Sequence, residues 1–461
     1  MSARPGTLGD LRQSGWEQVS TKEEMRRNLL RMIRDDEERF PGIHGYERTV
    51  IPAIENAVLA RHDMILLGLR GQAKTRILRA LAGLLDETIP IIKGCDINDS
   101  PYRPVCKRCR RLERERGDDL DVDWIGRERR YREKLATPDV TVADLIGDID
   151  PVKAANLRLE YSDEEVIHYG IIPRTNRGIF AINELPDLAP RIQVALLNIL
   201  EERDLQIRGF PVRIPMDMML VFSANPEDYT SRGNIITPLK DRIDSQVLTH
   251  YPRDVATARR ITRQEAWLER NGSESTVEIP DVVGDLIERI AFLARESELV
   301  DQSSGVSARM PISATELLLS NLERRAQRAG ETRVYPRLSD LMMLVPAITG
   351  KVEMVYEGEQ QGAEVVARNL IGSALLELFE STFPPVERAG SRQRRRMMEE
   401  DDDMESMFRR VAEREEPVEE EPRDTTYEET IKWFAEGNRV TVSDEIPFDE
   451  YYAELSRVPG L

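Results

Sequence analysis

Short apolar runs and helix-like periodic stretches alternate along the first half of the chain. Apolar residues recur at helical spacing within residues 46–63, and the run MILLGL follows directly. Two further apolar runs, within residues 177–188 and 218–229, have the length and continuous hydrophobicity of strands that are buried on both faces. This alternation predicts an α/β fold in which helices flank a parallel sheet.

Three later stretches differ from this alternation. Residues 141–180 contain few helix-long periods and many β-type alternations. Residues 191–215 are typical of an amphipathic helix followed by a hairpin over RGFP. Residues 341–359 show helical spacing with several methionines, which predicts the core of a smaller helical domain.

The composition is that of a globular protein. The chain has 461 residues, of which 40% are hydrophobic and 32% are charged, enough for two or three domains with cores of their own. No apolar run reaches roughly 18 residues, and the N-terminal sequence lacks the apolar core of a signal peptide. We therefore expect a cytoplasmic protein without a membrane span.

The charge is strongly negative and is concentrated near the C-terminus. A net charge of −19 argues against a nucleic-acid partner, because phosphate backbones are bound by clustered basic faces. Residues 385–424 are acidic and poor in core-forming side chains, which predicts a disordered linker. The segment 425–461 regains aromatic side chains, at Trp433, Phe434, Phe448, Tyr451 and Tyr452. We expect this segment to dock, either on this protein or on a partner.

The sequence LLGLRGQAKTRILRAL at residues 66–81 is close to a phosphate-binding loop. Gly68, Lys74 and Thr75 fit the pattern G-x-x-x-x-G-K-[ST], and Ala73 stands at its last glycine. In such a loop backbone N–H groups and a helix N-terminus surround the phosphates, the lysine contacts the β and γ oxygens, and the threonine hydroxyl ligates Mg²⁺. The candidate nucleotide-binding residues are Gly68, Gly71, Gln72, Ala73, Lys74, Thr75 and Arg76.

The substitution at the last glycine makes a structural prediction. Ala73 is expected to keep φ below zero, in a helical conformation, because its methyl group disfavours positive φ. The alternative interpretation is an ordinary strand-to-helix turn, which predicts no second nucleotide-binding element downstream.

A second such element is found at the end of the apolar run in residues 177–188. P-loop ATPases carry Asp-Glu there, and this chain carries Asn183 and Glu184. The Asp normally steadies Mg²⁺ through its waters, and the Glu polarises the attacking water. We expect weaker Mg²⁺ support with the hydrolytic glutamate retained. Asn225 follows the third strand and could orient that water, although an Asn before proline is by itself a turn signal.

Five motifs occur in order: GLRGQAKT, GIFAINEL, SANPEDY, TPLKDRID (237–244) and GVSARMPIS (305–313). This succession resembles an AAA+ ATPase of the branch that holds the magnesium-chelatase ATPase subunit and the MoxR proteins, over roughly residues 35–380. MoxR-type proteins also tend to have Ala before the loop lysine. The resemblance implies an α/β P-loop AAA+ core, a smaller all-α lid domain and an acidic C-terminal tail, with ATP and Mg²⁺ as cofactors.

The resemblance also assigns roles to residues outside the loop. Glu184 matches the Walker B glutamate and Asn225 the sensor-1 residue, whereas Asn183 departs from the family's Asp. Arg242 matches the region that supplies the arginine finger, and Arg309 resembles the sensor-2 arginine. Guanidinium groups suit the charge that develops on a transferred phosphoryl group. For either arginine the alternative is a surface ion pair.

An arginine finger acts on the nucleotide of a neighbouring subunit, so the resemblance implies a homo-oligomeric ring. It also implies a β-insert at about 141–178, a hairpin within 191–215 that projects toward the pore, and a partner with a von Willebrand A-type domain. The expected function is ATP-driven remodelling or activation of that partner, as a chelatase subunit or a chaperone. One alternative is a non-hydrolysing, nucleotide-gated scaffold, since Asn183 replaces the Asp. A transcription activator is disfavoured, because the sequence has no basic helix-turn-helix and no GAFTGA-like loop.

The predicted domain organisation has five parts. They are an N-terminal extension at 1–37, the AAA+ core at 38–257, the helical lid at 258–384, the acidic linker at 385–424 and the docking segment at 425–461.

The cysteines form a separate cluster. Cys95, Cys106 and Cys109 are spaced C-x10-C-x2-C, and an odd count in a cytoplasmic chain disfavours structural disulfides. The spacing suits Zn²⁺, which would need a fourth ligand such as Asp96, Asp99 or a distant His. The alternative is three reduced thiols without a metal.

Overall fold

The computed structural model describes residues 4–160, 163–207, 213–226, 235–270, 276–382, 432–440 and 446–459. Internal contacts divide the chain into two compact units. The first unit consists of Met1–Gln264 and Asp301–Arg309, and the second of Glu265–Val300 and Met310–Leu461.

The elements of the first unit are as follows. Its strands are β1 (Met64–Leu67), β2 (Thr88–Ile92), β3 (Val122–Gly126), β4 (Tyr131–Leu135), β5 (Gly147–Ile149), β6 (Ile167–Tyr169), β7 (Gly178–Asn183), β8 (Asp204–Gln206), β9 (Arg213–Pro215), β10 (Met218–Ala224) and β11 (Ser245–Leu248). Its helices are α1 (Leu8–Gln13), α2 (Thr21–Arg34), α3 (Val50–Leu59), α4 (Lys74–Ala80), α5 (Lys107–Arg116), α6 (Arg127–Arg130), α7 (Val142–Leu145), α8 (Pro151–Leu157), α9 (Pro190–Glu201), α10 (Thr237–Arg242) and α11 (Val255–Glu265), the last of which crosses the unit boundary.

The second unit is mainly helical. Its helices are α12 (Asp281–Glu296), α13 (Arg309–Ala329), whose first residue belongs to the first unit, α14 (Val345–Thr349), α15 (Tyr356–Gln361), α16 (Ala363–Thr382) and α17 (Phe448–Leu455). Its strands are β12 (Thr276–Val277) and β13 (Arg333–Val334).

A five-stranded sheet in the order β11-β1-β10-β7-β4 forms the centre of the first unit, and all its pairings are parallel. Every residue of β1, β7 and β10 is buried. Alternate side chains point to opposite faces, so Phe180 and Phe222 join one hydrophobic cluster while Ile179 and Val221 join the other. The predicted parallel sheet flanked by helices is confirmed. The three apolar runs form its central strands.

Three antiparallel strand pairs lie outside this sheet, namely β2 with β3, β5 with β6, and β8 with β9. The pair β5 and β6 falls in the stretch 141–180, which also contains the short helices α7 and α8. The helix and hairpin predicted for 191–215 correspond to α9, β8 and β9. The RGFP tip of that hairpin lies outside the described residues.

The N-terminal residues pack into the first unit, whereas the sequence predicted a separate extension at 1–37. Met25 and Leu29 of α2 are fully buried in one cluster with Ile54 and Leu78. Helix α2 therefore covers one face of the sheet, as its amphipathic pattern requires.

A buried ion pair joins the same helix to the edge of the sheet. Arg130 and Glu24 are 0% and 3% exposed, and two guanidinium nitrogens each lie 2.7 Å from one carboxylate oxygen. Arg130 Nε also donates to the carbonyl of Arg177 at 2.7 Å. Glu24 further accepts from the backbone N–H of Asp86 at 2.7 Å. Such bidentate, fully bonded pairs are strongly destabilised when one partner is removed.

In the second unit α12 and α14 pack on α16. The predicted helical lid is confirmed, and the structure adds one short parallel pairing, of β12 with β13, through two residues each. Strands of two residues are too short to give a readable alternation. The helical spacing predicted at 341–359 is interrupted, since α14 begins at Val345 with Pro346 in its first turn and ends before its C-cap Gly350. Leu341, Leu344 and Ile348 are nevertheless buried in the core.

The unit boundary differs from the predicted one at 257/258. It lies at Gln264, because α11 continues across that point, and Asp301–Arg309 returns to the first unit. The predicted linker at 385–424 lies outside the described residues.

Part of the predicted docking segment is described. The Arg337 guanidinium carbon lies over the Tyr451 ring, 4.3 Å from its centroid, and Arg337 donates to the carbonyl of Ile446 at 2.8 Å. These contacts attach α17 to the second unit of its own chain.

Among the described residues, no helix combines the length and apolar character needed to cross a bilayer.

We predict that Glu24→Ala lowers the free energy of unfolding by about 3–5 kcal/mol, because it leaves the buried Arg130 guanidinium without its counter-charge. Glu23→Ala in the same helix is the matched control. Glu23 makes only partly exposed pairs with Arg26 and Arg61, worth about 0–1 kcal/mol. Chemical denaturation of both variants measures the difference. Equal losses of unfolding free energy in the two variants would contradict a stabilising role for the buried pair of Glu24 and Arg130.

Candidate nucleotide-binding site

The candidate phosphate-binding loop connects β1 to α4 at the carboxyl edge of the central sheet. Gly71 has φ +75°, and a Cβ added there would lie 2.2 Å from Ser307 Oγ. A Cβ on Gly68 would lie 1.9 Å from Thr249 Oγ1. Both glycines are therefore required by close packing, and at Gly71 also by the backbone conformation.

Ala73 adopts φ +56° and ψ +16°, so the prediction of a negative φ is wrong. The left-handed conformation costs an L-residue about 1–2 kcal/mol. A left-handed residue next to the right-handed start of α4 turns successive backbone N–H groups toward one side. This concave arrangement of N–H groups is a recurrent anion site. The left-handed conformation of Ala73 is thus the one that a candidate anion-binding loop of this type uses.

The Lys74 side chain is 7% exposed and lies across the loop. Its Nζ donates to the carbonyls of Gly68 and Leu69, the latter at 3.0 Å, and to Asn225 Oδ1 at 2.7 Å. These oxygens hold the ammonium between the loop and the end of β10.

Asn183, the last residue of β7, faces the start of α4. Its Oδ1 accepts from Thr75 Oγ1 at 3.4 Å and from Ser223 Oγ at 3.2 Å. The Ser223 hydroxyl also accepts from the Glu184 backbone N–H at 3.3 Å. Two hydroxyls and an amide carbonyl thus face one another beside the loop. They are oxygen donors of the type that Mg²⁺ prefers, but they carry no charge.

Glu184 occupies a strained position directly after β7. Its φ of +55° and ψ of +50° are left-handed, which is unusual for a non-glycine residue and recurs at functional sites. Its Oε2 accepts from Asn225 Nδ2 at 3.0 Å. Since Asn225 Oδ1 faces an ammonium and Nδ2 faces a carboxylate, the amide is fixed in one orientation. Asn225 therefore links Lys74 to Glu184.

The remaining candidate residues lie around this centre. The Arg76 side chain is exposed and lies against Gly42. The Gln72 side chain accepts from Thr249 Oγ1 at 2.7 Å, and its carbonyl accepts from the Tyr46 hydroxyl at 3.0 Å. Burial raises the pKa of Tyr46 to about 12, so its proton stays available for donation. Tyr46 and Thr249 hold the loop, and no sequence motif pointed to them.

The two candidate arginines come from later segments of the chain. Arg242 ends α10, is half-buried, and its Nε donates to Glu201 Oε2 at 2.8 Å. That hydrogen bond raises the pKa of Arg242. Arg309 is exposed and begins α13, two residues after Ser307, which packs on Gly71.

The three cysteines converge with one carboxylate at a second location. Ligand atoms of Cys95, Asp99, Cys106 and Cys109 all lie within 4.8 Å of one another. Hydrogen bonds from the other two thiols lower the pKa of Cys95 to about 3, and the bond to Cys109 raises the pKa of Cys106. Burial raises the pKa of Asp99 to about 6. The cluster is thus able to hold several negative charges only against a strong mutual repulsion.

Comparison with known proteins gives one family match. Residues 124–243 match the model of the AAA domain of the dynein-related subfamily. This region contains β7, the Asn183 and Glu184 pair, β10, Asn225 and Arg242. No curated protein matches the sequence significantly.

Three solved structures are similar to the chain at low identity. A model of the complex between subunits BchI and BchD of magnesium chelatase is 19% identical, with 70% of this chain and 98% of that one covered and a TM-score of 0.36. NtrX from Brucella abortus is 12% identical, with 69% and 54% covered and a TM-score of 0.36. A putative ATPase from Cytophaga hutchinsonii is 16% identical, with 77% and 95% covered and a TM-score of 0.32. Because all three TM-scores are low, these likenesses support no statement about function.

We predict that Gly71→Ala weakens ATP binding by about tenfold or more. The added methyl group is strained at positive φ by about 1–2 kcal/mol, and it displaces the loop from Ser307. Gly83→Ala is the matched control, because an added Cβ there meets nothing within 4 Å. Titration with a fluorescent ATP analogue measures both affinities. Unchanged binding in Gly71→Ala would contradict the assignment of the loop.

The family match and the fold agree with each other. The central sheet is parallel with flanking helices, the loop of Lys74 follows its strand β1, and the matched region supplies the two neighbouring strand ends. Residues 124–243 therefore carry an AAA domain of the dynein-related subfamily within an α/β P-loop AAA+ fold.

Proposed function

We propose that this protein is a Mg-ATP-dependent ATPase that assembles into a ring and remodels or activates a partner protein. The observation that carries the proposal is the chain of hydrogen bonds from Lys74 through Asn225 to Glu184. It joins a phosphate-binding cation to a carboxylate through a side chain that can position water. This is the arrangement that phosphoryl transfer to water requires.

ATP binding would use the backbone N–H groups of residues 71–75 together with Lys74. The left-handed Ala73 orients those N–H groups, and the ammonium supplies a buried positive charge for the β and γ oxygens. Mg²⁺, when bound with the nucleotide, supplies charge neutralisation on the phosphates. The side-chain oxygens of Thr75 and Asn183 are ligands of the kind that Mg²⁺ prefers. Asn183 offers an uncharged amide oxygen, whereas a carboxylate at this position would add a negative charge.

Hydrolysis would depend on Glu184. Its carboxylate can accept a proton from water or orient it, and the Asn225 amide holds that carboxylate from one side. The backbone of Glu184 is left-handed, a conformation that recurs at functional sites. The protein therefore offers a positioned base beside a phosphate cradle.

A ring would complete the site with Arg242 from the neighbouring subunit. In its own chain Arg242 pairs with Glu201, whose side chain is 54% exposed. Exchanging such an exposed ion pair for a phosphate oxygen costs little free energy. Arg309 would act on the nucleotide from its position next to the loop, as a sensor-2 residue. Both roles rest on the sequence resemblance.

The resemblance to magnesium-chelatase ATPase subunits and MoxR proteins supports a remodelling role. In that reading β8 and β9 form the hairpin that contacts the substrate in the pore, and the partner carries a von Willebrand A-type domain. The protein would act either as part of a metal chelatase or as a chaperone.

One observation favours a second candidate function. Asn183 brings no charge to the Thr75 hydroxyl, so nucleotide could bind without efficient turnover. The protein would then be a nucleotide-gated scaffold, in which ATP controls assembly alone.

We predict that Lys74→Ala abolishes ATP binding, whereas Glu184→Gln keeps ATP affinity and loses hydrolysis. The lysine contacts phosphate directly, and the glutamate acts on water. Calorimetric titration measures binding, and phosphate release measures turnover. Equal ATP affinity in wild type and Lys74→Ala would refute the proposed site.

We predict that Arg242→Ala lowers turnover about 10³-fold or more and leaves ATP binding nearly unchanged. Mixing Arg242→Ala with Glu184→Gln should restore activity, because each subunit donates what the other lacks at a shared interface. Lys240→Ala, two residues earlier in α10, is the matched control and should remain active. If the mixture assembles and stays inactive, Arg242 does not act on a neighbour.

A further inference from the structure

We propose that Cys95, Asp99, Cys106 and Cys109 bind one structural Zn²⁺ ion, and that this ion holds the segment 93–121 against residues 174–176, which lead into β7. The site is separate from the nucleotide loop. It therefore goes beyond the proposed ATPase function and does not depend on it.

The geometry of the four side chains is the first argument. Their ligand atoms all lie within 4.8 Å of one another. The ligands of a tetrahedral zinc ion lie about 2.0–2.3 Å from the metal and therefore roughly 3.3–3.8 Å from one another, so a shift of about 1 Å or less per atom brings these four atoms to that geometry. Three sulfurs and one carboxylate oxygen complete the four-coordinate set that structural zinc requires.

Asp99 supplies the ligand that the cysteine spacing alone left undetermined. It is 0% exposed, and its Oδ2 accepts from the backbone N–H groups of Val105 and Cys106 at 3.1 and 2.9 Å. Its Oδ1 is buried without a hydrogen-bond partner. A buried carboxylate oxygen without a partner is costly. A cation beside three sulfurs removes that cost.

The environment of the sulfurs fits a thiolate site. Cys106 is the N-cap of the ten-residue helix α5, and its Sγ accepts from the Cys109 N–H at 3.3 Å. The Asp99 N–H donates to Cys95 Sγ at 3.4 Å. Backbone N–H groups and a helix N-terminus stabilise negative charge on sulfur. Thiolate-rich tetrahedral sites select zinc over the harder Mg²⁺.

Hydrogen bonds around the cluster show which neighbouring segments the bound ion would hold in place. Asn98 donates to the carbonyl of Arg174 at 3.0 Å, and Asn176 donates to that of Ile97 at 3.1 Å. Residues 174–176 lie just before β7, which ends at Asn183. The backbone N–H of Lys107 donates to Glu164 at 2.7 Å. A metal bound within the segment 93–121 thus also orders residues 174–176, which lead into β7.

A cavity beside the cluster gives a path for the metal. Its volume is about 370 Å³, and its walls include Cys106, Glu164 and Tyr169. Cys106 reaches this cavity while being 7% exposed. The ion could therefore enter and leave the folded protein, which makes removal by a chelator feasible.

The direct test is the metal content of the purified full-length protein. Elemental analysis should find about one zinc per chain. A chelator should remove the zinc and lower the unfolding temperature, and Zn²⁺ but not Mg²⁺ should restore it. Replacement by Co²⁺ should give the absorption of a tetrahedral thiolate complex. Metal-free protein with three freely titratable thiols, or iron with acid-labile sulfide, would overturn the proposal.

Two carboxylate variants identify the fourth ligand. Asp99→Asn should weaken zinc binding by more than the roughly 10–100-fold that loss of an outer-shell partner costs. Asp96→Asn is the matched control, since Asp96 is exposed and adjacent to Cys95, and it should keep full zinc affinity. Equal zinc affinity in the two variants would overturn the assignment of Asp99. Competition with a chelating dye measures affinity in the folded proteins and does not require ATPase activity.

Discussion

The parallel register of β1, β10 and β7 is the constraint on which the rest of the molecule depends. Leu67 is paired with Ala224, and Phe222 with Ile182, so the three strands end at one edge of the sheet. The residues that follow them must therefore converge. The loop of Lys74, the amide of Asn225 and the carboxylate of Glu184 meet there without any of them being close in sequence.

Buried ion pairs lie at the opposite edge of the sheet, where the strands begin. Asp63, just before β1, is fully buried and pairs with Lys22 at 2.8 Å and with Arg203 at 2.6 Å. Arg130, just before β4, pairs with Glu24. Ala73 and Glu184, both with left-handed backbone, lie at the carboxyl edge, where the chemistry is proposed.

Sequence patterns predicted the features that have a strong local cause. Continuous apolar runs predicted the central strands, because strands buried on both faces need no polar alternation. The conformation of Ala73 was not predictable, since it depends on how the N–H groups of the whole loop are arranged. The place of α2 was missed because the Glu24 and Arg130 pair spans more than a hundred residues. Asp99 could be named only as one of several candidates, because burial decides between it and Asp96. The roles of Arg242 and Arg309 stay predictions.

The central claim is that this site turns over ATP although Asn183 stands where a charged Asp is usual. It is tested most directly by phosphate release from the purified protein at increasing Mg²⁺, for wild type and for Asn183→Asp. We predict measurable turnover in wild type, with a lower Mg²⁺ requirement or a higher rate in the variant, because a carboxylate adds a negative charge beside the cation. ATP binding without phosphate release in both proteins at saturating Mg²⁺ would contradict the account.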